Sequence, residues 1–291
     1  MRAFLLCILA SLLLALPASA HEVLIVQSIR SAMYDEALKG FRSASAVDSS
    51  TLVLSDYADP ELARVINEER PRLVVAVGDG ALASLHRIHK LPVVAMMALG
   101  LGGHTHDSAN LTGVTLFEKP EQYLAIFKKL KSHRVGVVYD PARSGWYLKL
   151  ARAAARQYGV ELVLREVSDP RQAIGQLASL KGGVDALWLV PDPTAVTRET
   201  LEAYFLFAQT DAIPVVSFSS AHLRLGALAV IEPDRAEMGR QAGEMARELL
   251  AGTSPAELPP SPPRKVSVKA NEAVAKRLKL PLDLPGVLSK K

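Results

Sequence analysis

The sequence predicts an α/β protein built as two three-layer lobes, each a parallel sheet with helices on both faces. Three observations carry this. Short β-branched runs such as Val23-Leu24-Ile25-Val26, Leu73 to Val77 and Ala186 to Val190 are apolar almost throughout, as strands covered on both faces must be. Helix-period segments alternate with them along the chain. The units also fall into two sets, about 23–114 and 135–231, each near the size of one domain.

The elements follow in order. His21 to Gln27 opens with a buried strand, and Tyr34 to Ala44 reads as a helix. Leu52-Val53-Leu54 is a short strand. Asp59-Pro60 has the form of a capping aspartate with proline in the first turn, starting a helix that reaches Glu69. After Leu73 to Val77, Gly78-Asp79-Gly80 breaks the strand, Ala81 to His89 reads as helix, and Pro92 to Met97 as strand. Thr112 to Leu116 is strand-like. Pro120 to Leu130 is a helix, with Tyr123, Leu124, Phe127 and Leu130 on one face.

In the second set, Val135 to Tyr139 is a strand and Ser144 to Tyr158 a helix stopped by Gly159. Val160 to Leu164 is a strand, and Asp169-Pro170-Arg171-Gln172 a helix start. Ala186 to Val190, Pro214 to Phe218 and Ala227 to Ile231 are strands, with a helix over Thr197 to Gln209. Asp234 and Glu237 have capping-box spacing before a helix to Leu250, with Gly252 beyond it. Thr253 to Pro263 is too proline-rich for a helix and reads as an extended connector. Val266 to Val268 is an edge strand and Asn271 to Leu278 a last helix.

The N-terminus has the pattern of a cleaved export signal. Arg2 precedes an apolar run from Leu5 to Leu16, and Ala18-Ser19-Ala20 is a small-residue site with the cut expected after Ala20. The run is shorter than a membrane span. Cys7, the one cysteine, lies inside it, so the processed chain has no thiol for a lipid anchor or a disulfide. A soluble product of this kind fits a bacterial periplasm.

Charge excludes other classes. The 34 basic and 30 acidic residues give a net charge of +4, and +3 without Arg2. Neither a nucleic-acid stripe nor a membrane-surface protein is implied, and no stable membrane insertion is expected after processing. His86 with His89, and His104-Thr105-His106-Asp107, are poor metal candidates, so neither metal nor cofactor is expected. No G-x-S-x-G elbow or H-E-x-x-H pair appears, and no enzymatic activity is expected.

In open parallel sheets, ligands meet the residues beyond the carboxyl ends of the strands. Here those are Ser28, Ile29, Arg30 and Tyr34; then Gly78, Asp79 and Gly80; then Met97 and Ala98. In the second set they are Asp140, Arg143, Ser144 and Trp146, then Pro191 and Asp192, then Phe218, Ser219 and Ser220, then Glu232. The nine taken as candidate ligand residues are Ser28, Asp79, Met97, Asp140, Ser144, Trp146, Asp192, Phe218 and Glu232. Hydroxyls, carboxylates and aromatics together suit a small polar or zwitterionic organic molecule with an apolar part.

The chain also resembles a known family. Asn110-Leu111-Thr112-Gly113-Val114-Thr115, Arg134 to Pro141, and Ile231-Glu232-Pro233-Asp234 running into Met238 to Gly243 are similar to stretches of the periplasmic substrate-binding components of ABC importers, of the tryptophan/tyrosine-binding type. Val184 to Trp188 with Asp192 fits between them. The resemblance implies a type I periplasmic-binding fold with residues 21–115 and 234–262 in one lobe and 116–233 and 263–291 in the other.

It further implies Ser28 and Asp79 on the first lobe's wall, Asp140, Ser144, Asp192 and Phe218 on the second, and Glu232 near the crossover. An aromatic amino acid would then place its ring on Trp146 or Phe218, its amine near Asp192 and its carboxylate near Ser28 or a helix start. Its partners would be that small molecule and an ABC permease, with the chain a monomer. A ligand-sensing or envelope accessory protein on the same fold is the alternative. Met96-Met97-Ala98-Leu99-Gly100 replaces the family's hydroxyl-rich stretch with Asp-Pro, which leaves fewer polar contacts on the first lobe.

Overall fold

A computed structural model describes residues 21–58, 60–104 and 109–286. The expected export signal and Asp59 lie outside these residues, as do Thr105, His106 and Asp107 of the histidine cluster.

The first lobe holds β1 (Val23–Gln27), α1 (Ala32–Ser45), β2 (Ser49–Val53), α2 (Leu62–Glu69), β3 (Leu73–Val77), α3 (Asp79–Ser84), β4 (Val93–Met96) and β5 (Leu111–Gly113). Its strands form a parallel sheet in the order β2-β1-β3-β4-β5. Strand alternation explains the continuous apolar runs. Val23, Ile25, Val75 and Val77 face Ala37 and Phe41 of α1, whereas Leu24, Val26, Val74 and Ala76 face Leu62 and Ala81 on the opposite side.

The second lobe holds α4 (Pro120–Lys129), β6 (Arg134–Tyr139), α5 (Pro141–Tyr158), β7 (Glu161–Glu166), α6 (Pro170–Ala178), β8 (Ala186–Trp188), α7 (Arg198–Thr210), β9 (Val215–Ser217), α8 (Ala221–Leu225) and β10 (Ala229–Pro233). The chain then returns through α9 (Arg235–Leu250), β11 (Val266–Ala270) and α10 (Glu272–Leu278). The second sheet runs β11-β10-β9-β8-β6-β7, and β11 is antiparallel to β10. Val135, Val137 and Trp188 pack on α4 and α5 through Tyr123, Phe127 and Leu148, and Val138, Leu187 and Leu189 pack on Leu177, Tyr204 and Phe205.

Helix α9 packs on the first sheet, with Met238, Ala242, Met245 and Ala246 in the same cluster as Val23 and Phe41. Glycines permit its close approach to α1. A Cβ at Gly40 would overlap the backbone of Ala236, and one at Gly239 that of Ala37.

Three passages connect the lobes: from β5 to α4, from β10 to α9, and from α9 to β11. The first and third run side by side. The Thr115 amide donates to Ser261 O at 2.9 Å, and the Ser261 amide donates to Gly113 O at 3.0 Å. Gln241 of α9 secures the proline-rich passage, donating through Nε2 to Ser261 Oγ and Pro262 O and accepting from the Arg264 amide.

Some boundaries differ from expectation. Helix α5 begins a turn early because Asp140 caps it, accepting from the Ala142 amide, with Pro141 in the first turn. Helix α3 begins at Asp79 and yields to turns after Ser84 instead of reaching His89. Leu54 leaves the strand and starts a short 3-10 turn. The short helix α8 has Ser220 at its N-cap position, but the hydroxyl donates to Glu232 instead of capping the helix.

Candidate functional site

The first lobe's strand-end loops are held by their own side chains. The Ser28 hydroxyl donates to Val77 O at 3.0 Å and accepts from the Ala81 amide at 2.8 Å, which ties the end of β1 to β3 and α3. The Tyr34 phenol sits beside it. Burial raises its pKa, as does the nearby charge of Asp79, against a lowering contribution from Ser28. Asp79 is exposed, and its carboxylate receives the amides of Leu99 (3.1 Å) and Gly100 (2.8 Å). The loop after β4 is thus folded over the start of α3. Met97 adopts a left-handed φ of 57° and buries its side chain in the α1/α9 core cluster.

In the second lobe, Asp192 is the centre of a buried polar knot. Its carboxylate accepts from the amides of Asp140, Thr194 and Ala195 and from the Ser144 hydroxyl, all between 2.5 and 2.9 Å. Asp140 completes the knot by receiving Thr194 Oγ1 at 2.7 Å. These bonds clamp the loop after β6 to the loop after β8. They hold Asp192, 1% exposed, away from solvent.

Farther along the sheet edge, Glu232 accepts from the amide and hydroxyl of Ser220 and from Lys269 Nζ. Burial works to raise the Glu232 pKa, but the Ser220 and Lys269 donors outweigh it and the pKa is lowered. Ser217 Oγ and His222 Nδ1 are 2.6 Å apart and buried. Phe218 rests edge-on against the His222 ring at 5.1 Å.

Between the two sets of loops lies a cleft of about 390 Å³, within the usual range for a small-molecule site. Asp79, Leu99, Gly100 and Gly103 form one wall, and Ala142, Arg143, Pro191 and Pro193 the other, with Phe117 of the first connecting passage between them. A smaller hollow of about 340 Å³ adjoins it and shares Asp79, Gly100 and Arg143. Arg143 is exposed, and its position in the first turn of α5 follows from the Asp140 cap.

The cleft ends at an aromatic contact. Trp146 stacks edge-on with Phe117 at 4.9 Å and lies against Gly102 of the first lobe. Beyond it a larger groove of about 940 Å³ runs along α5 and the connecting passages.

Of the nine candidates, Asp79 lines the cleft and Trp146 the groove. Ser28, Asp140, Ser144, Asp192 and Glu232 spend polar atoms on the protein itself, as Asp79 also does on the Leu99 and Gly100 amides while staying exposed to the cleft, and Met97 and Phe218 pack into core clusters. Arg143 and Pro191 line the cleft at positions that the strand-end rule reached, and Pro193 lies just beyond them. Phe117 lies on a passage between lobes, where that rule does not look. The rings of His86 and His89 are 6.5 Å apart, and among the described residues no three His, Cys, Asp or Glu side chains gather as a metal site.

Two lobes of mainly parallel strands, joined by three passages and separated by a cleft at their strand ends, define the type I periplasmic-binding architecture. The chain belongs to the ABC transporter substrate-binding protein family, whose model matches residues 24–284.

A tyrosine-binding protein of Clostridioides difficile is 24% identical over 173 residues, 58% of this chain; the match spans half of that relative's length. An ABC domain from Streptococcus pneumonia, solved in complex with L-Trp, is similar in fold (TM-score 0.62, 20% identity, 89% of this chain and 95% of that one). So is a ligand-free, open substrate-binding protein with adhesive properties from Clostridium difficile (TM-score 0.67, 19% identity, 92% and 98%). Among the described residues no helix is long and apolar enough to cross a membrane.

Proposed function

We propose that this chain is the extracytoplasmic receptor of an ABC importer, capturing a small zwitterionic solute between its lobes and presenting it to a permease. The observation that carries the reading is the charge pair across the cleft. Arg143 contributes a guanidinium from the second lobe and Asp79 a carboxylate from the first. A ligand carboxylate on Arg143 and a ligand amine on Asp79 would bridge the lobes, each through a charge-assisted hydrogen bond. Leu99, Phe117, Pro191 and Pro193 supply apolar surface for a side chain. An aromatic amino acid has all three parts, and the relatives named for tyrosine and tryptophan support that class.

Binding drives closure only through contacts that the open form lacks, and a ligand touching both walls satisfies this. The side-by-side passages at Val114 and Ser261 are where hinge motion would be absorbed. We take the lobes as 21–115 with 234–262, and 116–233 with 263–291, and the working form as a monomer.

A thermal-shift screen of the twenty amino acids tests this, since a ligand at about 100 times its Kd stabilises by about 2.7 kcal/mol. An aromatic amino acid should raise Tm in the parent and fail to do so in Arg143→Ala. Absence of a shift with every amino acid would remove the zwitterion reading.

A further inference from the structure

We propose that the groove beside the cleft is a second ligand site, taking an organic ammonium ion with an aromatic or aliphatic body and holding it against Glu118 and Gln122. This goes beyond solute capture and does not depend on it. The groove, about 940 Å³, has Phe117, Tyr147, Leu150 and Ala154 as apolar wall, with Pro260 and Pro262 of the return passage as its other side.

Glu118 lines this groove yet is only 1% exposed. The Tyr123 phenol donates to its Oε2 at 3.0 Å and the residue's own backbone amide also donates to the carboxyl group, while Oε1 has no partner on another described residue. Two more lining side chains share that state: Gln122 Oε1 and Trp146 Nε1 are buried and unpartnered. Buried polar atoms are ordinarily satisfied, and orphans cost free energy. Three along one groove are therefore a binding motif. Two acceptors call for a multiple donor, and the indole N–H calls for an acceptor on the same molecule.

The charges around Glu118 agree with a cation. Glu232 on β10 adds negative potential at Glu118 and Glu121 of α4 adds it at Tyr147 and along the groove, Tyr123 and Tyr147 are neutral phenols, and exposed Lys119 is the one cation among the described lining residues, outnumbered by these carboxylates. Glu118 has its pKa raised to about 8 by burial, so near neutral pH it holds a proton that an arriving ammonium would displace. The groove is walled by two of the passages joining the lobes, so its occupancy would bias the hinge.

Titration calorimetry with tyramine tests the site. Tyramine carries an ammonium and a hydroxyl but no carboxylate for Arg143; its uncharged analogue tyrosol is the comparison. Tyramine should bind at least tenfold tighter than tyrosol and release up to one proton at pH 7, read from heats in buffers of different ionisation enthalpy. Glu118→Gln should remove both the preference and the proton release, Gln122→Leu should weaken tyramine severalfold, and Asp79→Asn, in the cleft and not in the groove, should leave it unchanged. Equal binding of the two probes, no binding at millimolar concentration, or retained preference in Glu118→Gln would overturn the proposal. Loss of tyramine binding in Asp79→Asn would also overturn it, by placing the amine in the cleft.

Discussion

Gly102 of the first lobe and Trp146 of the second are in such close contact that a Cβ on the glycine would overlap the indole ring. Trp146 reaches across from α5, braced by Phe117 and Tyr147 at ring-centroid distances of 4.9 and 5.7 Å. No side chain longer than hydrogen fits at position 102 while the lobes hold this spacing. Gly102→Val should cost about 1–3 kcal/mol of overpacking at this lobe spacing, and a wider spacing would escape it. Solute affinity should therefore fall roughly tenfold or more, since about 1.4 kcal/mol is a factor of ten. Small-angle scattering should show a larger radius of gyration with the melting transition still cooperative. An unchanged radius and affinity would mean that this contact does not set the lobe spacing.

Asp192 looks like a ligand residue in sequence and behaves as a rivet in structure. Four donors converge on its carboxylate from Asp140, Ser144, Thr194 and Ala195. Asp192→Ala leaves them buried without an acceptor and should cost roughly 2–4 kcal/mol in chemical denaturation. Asp192→Asn keeps one carbonyl acceptor and should cost less. If Asp192→Ala abolished solute binding at unchanged stability, the residue would instead be a ligand contact.

These two residues mark what sequence reading reaches. Runs such as Leu73 to Val77 specify their own burial, because a strand with helices on both faces has no polar positions to offer. The alternation with helices then yields the layered fold. Proline after aspartate gave the start of α6, and the same rule applied to Asp140-Pro141 would have placed the start of α5 and put Arg143 in its first turn.

Strand-end position is likewise readable, but side-chain direction is not. Ser28 and Asp192 occupy strand ends yet turn toward neighbouring loops that are distant in sequence, Val77 and Asp140 among their partners. Phe117 and Glu118 were invisible for another reason: their neighbours come from α5 and the proline-rich passage, and only the folded return of the chain brings these together.

The α1/α9 crossing makes a sharper stability test than any cleft residue. Gly239 faces Ala37 backbone, and Gly243 faces the Phe41 carbonyl, with a Cβ-to-oxygen distance of 2.7 Å were a Cβ present. Backbone cannot yield as a side chain can. Gly239→Val should therefore destabilise by about 3 kcal/mol or more, beyond the usual cost of an added methylene. Gly175, with open space around its Cβ position, is the control. Gly175→Ala in the middle of α6 should stabilise by roughly 0.5–1 kcal/mol. Equal effects at the two sites would show that α9 is free to shift away from α1.

The pH dependence of folding should separate three buried groups. Glu118 is raised by burial to about 8 from an ordinary 4.5. Between those values the folded chain retains a proton that the unfolded chain has released, so stability is full below the ordinary value and falls as pH rises toward 8. His222 is lowered from 6.5, chiefly by burial. Below pH 6.5 the unfolded chain takes up a proton that folded His222 refuses, so this residue costs stability as pH falls. Glu232, lowered from 4.5 because its Ser220 and Lys269 bonds outweigh burial, contributes stability above 4.5 that is lost as pH falls through its folded value. The clean window for Glu118 is thus about pH 6.5 to 8, above the other two. Denaturation across it should show a loss of about 2 kcal/mol in the parent. Glu118→Gln cannot ionise and should be flat there, while Glu232→Gln should keep the slope above 6.5 and lose only the acid limb. A parent curve already flat from 6.5 to 8 would mean that the Glu118 carboxyl ionises in the folded chain as it does in water.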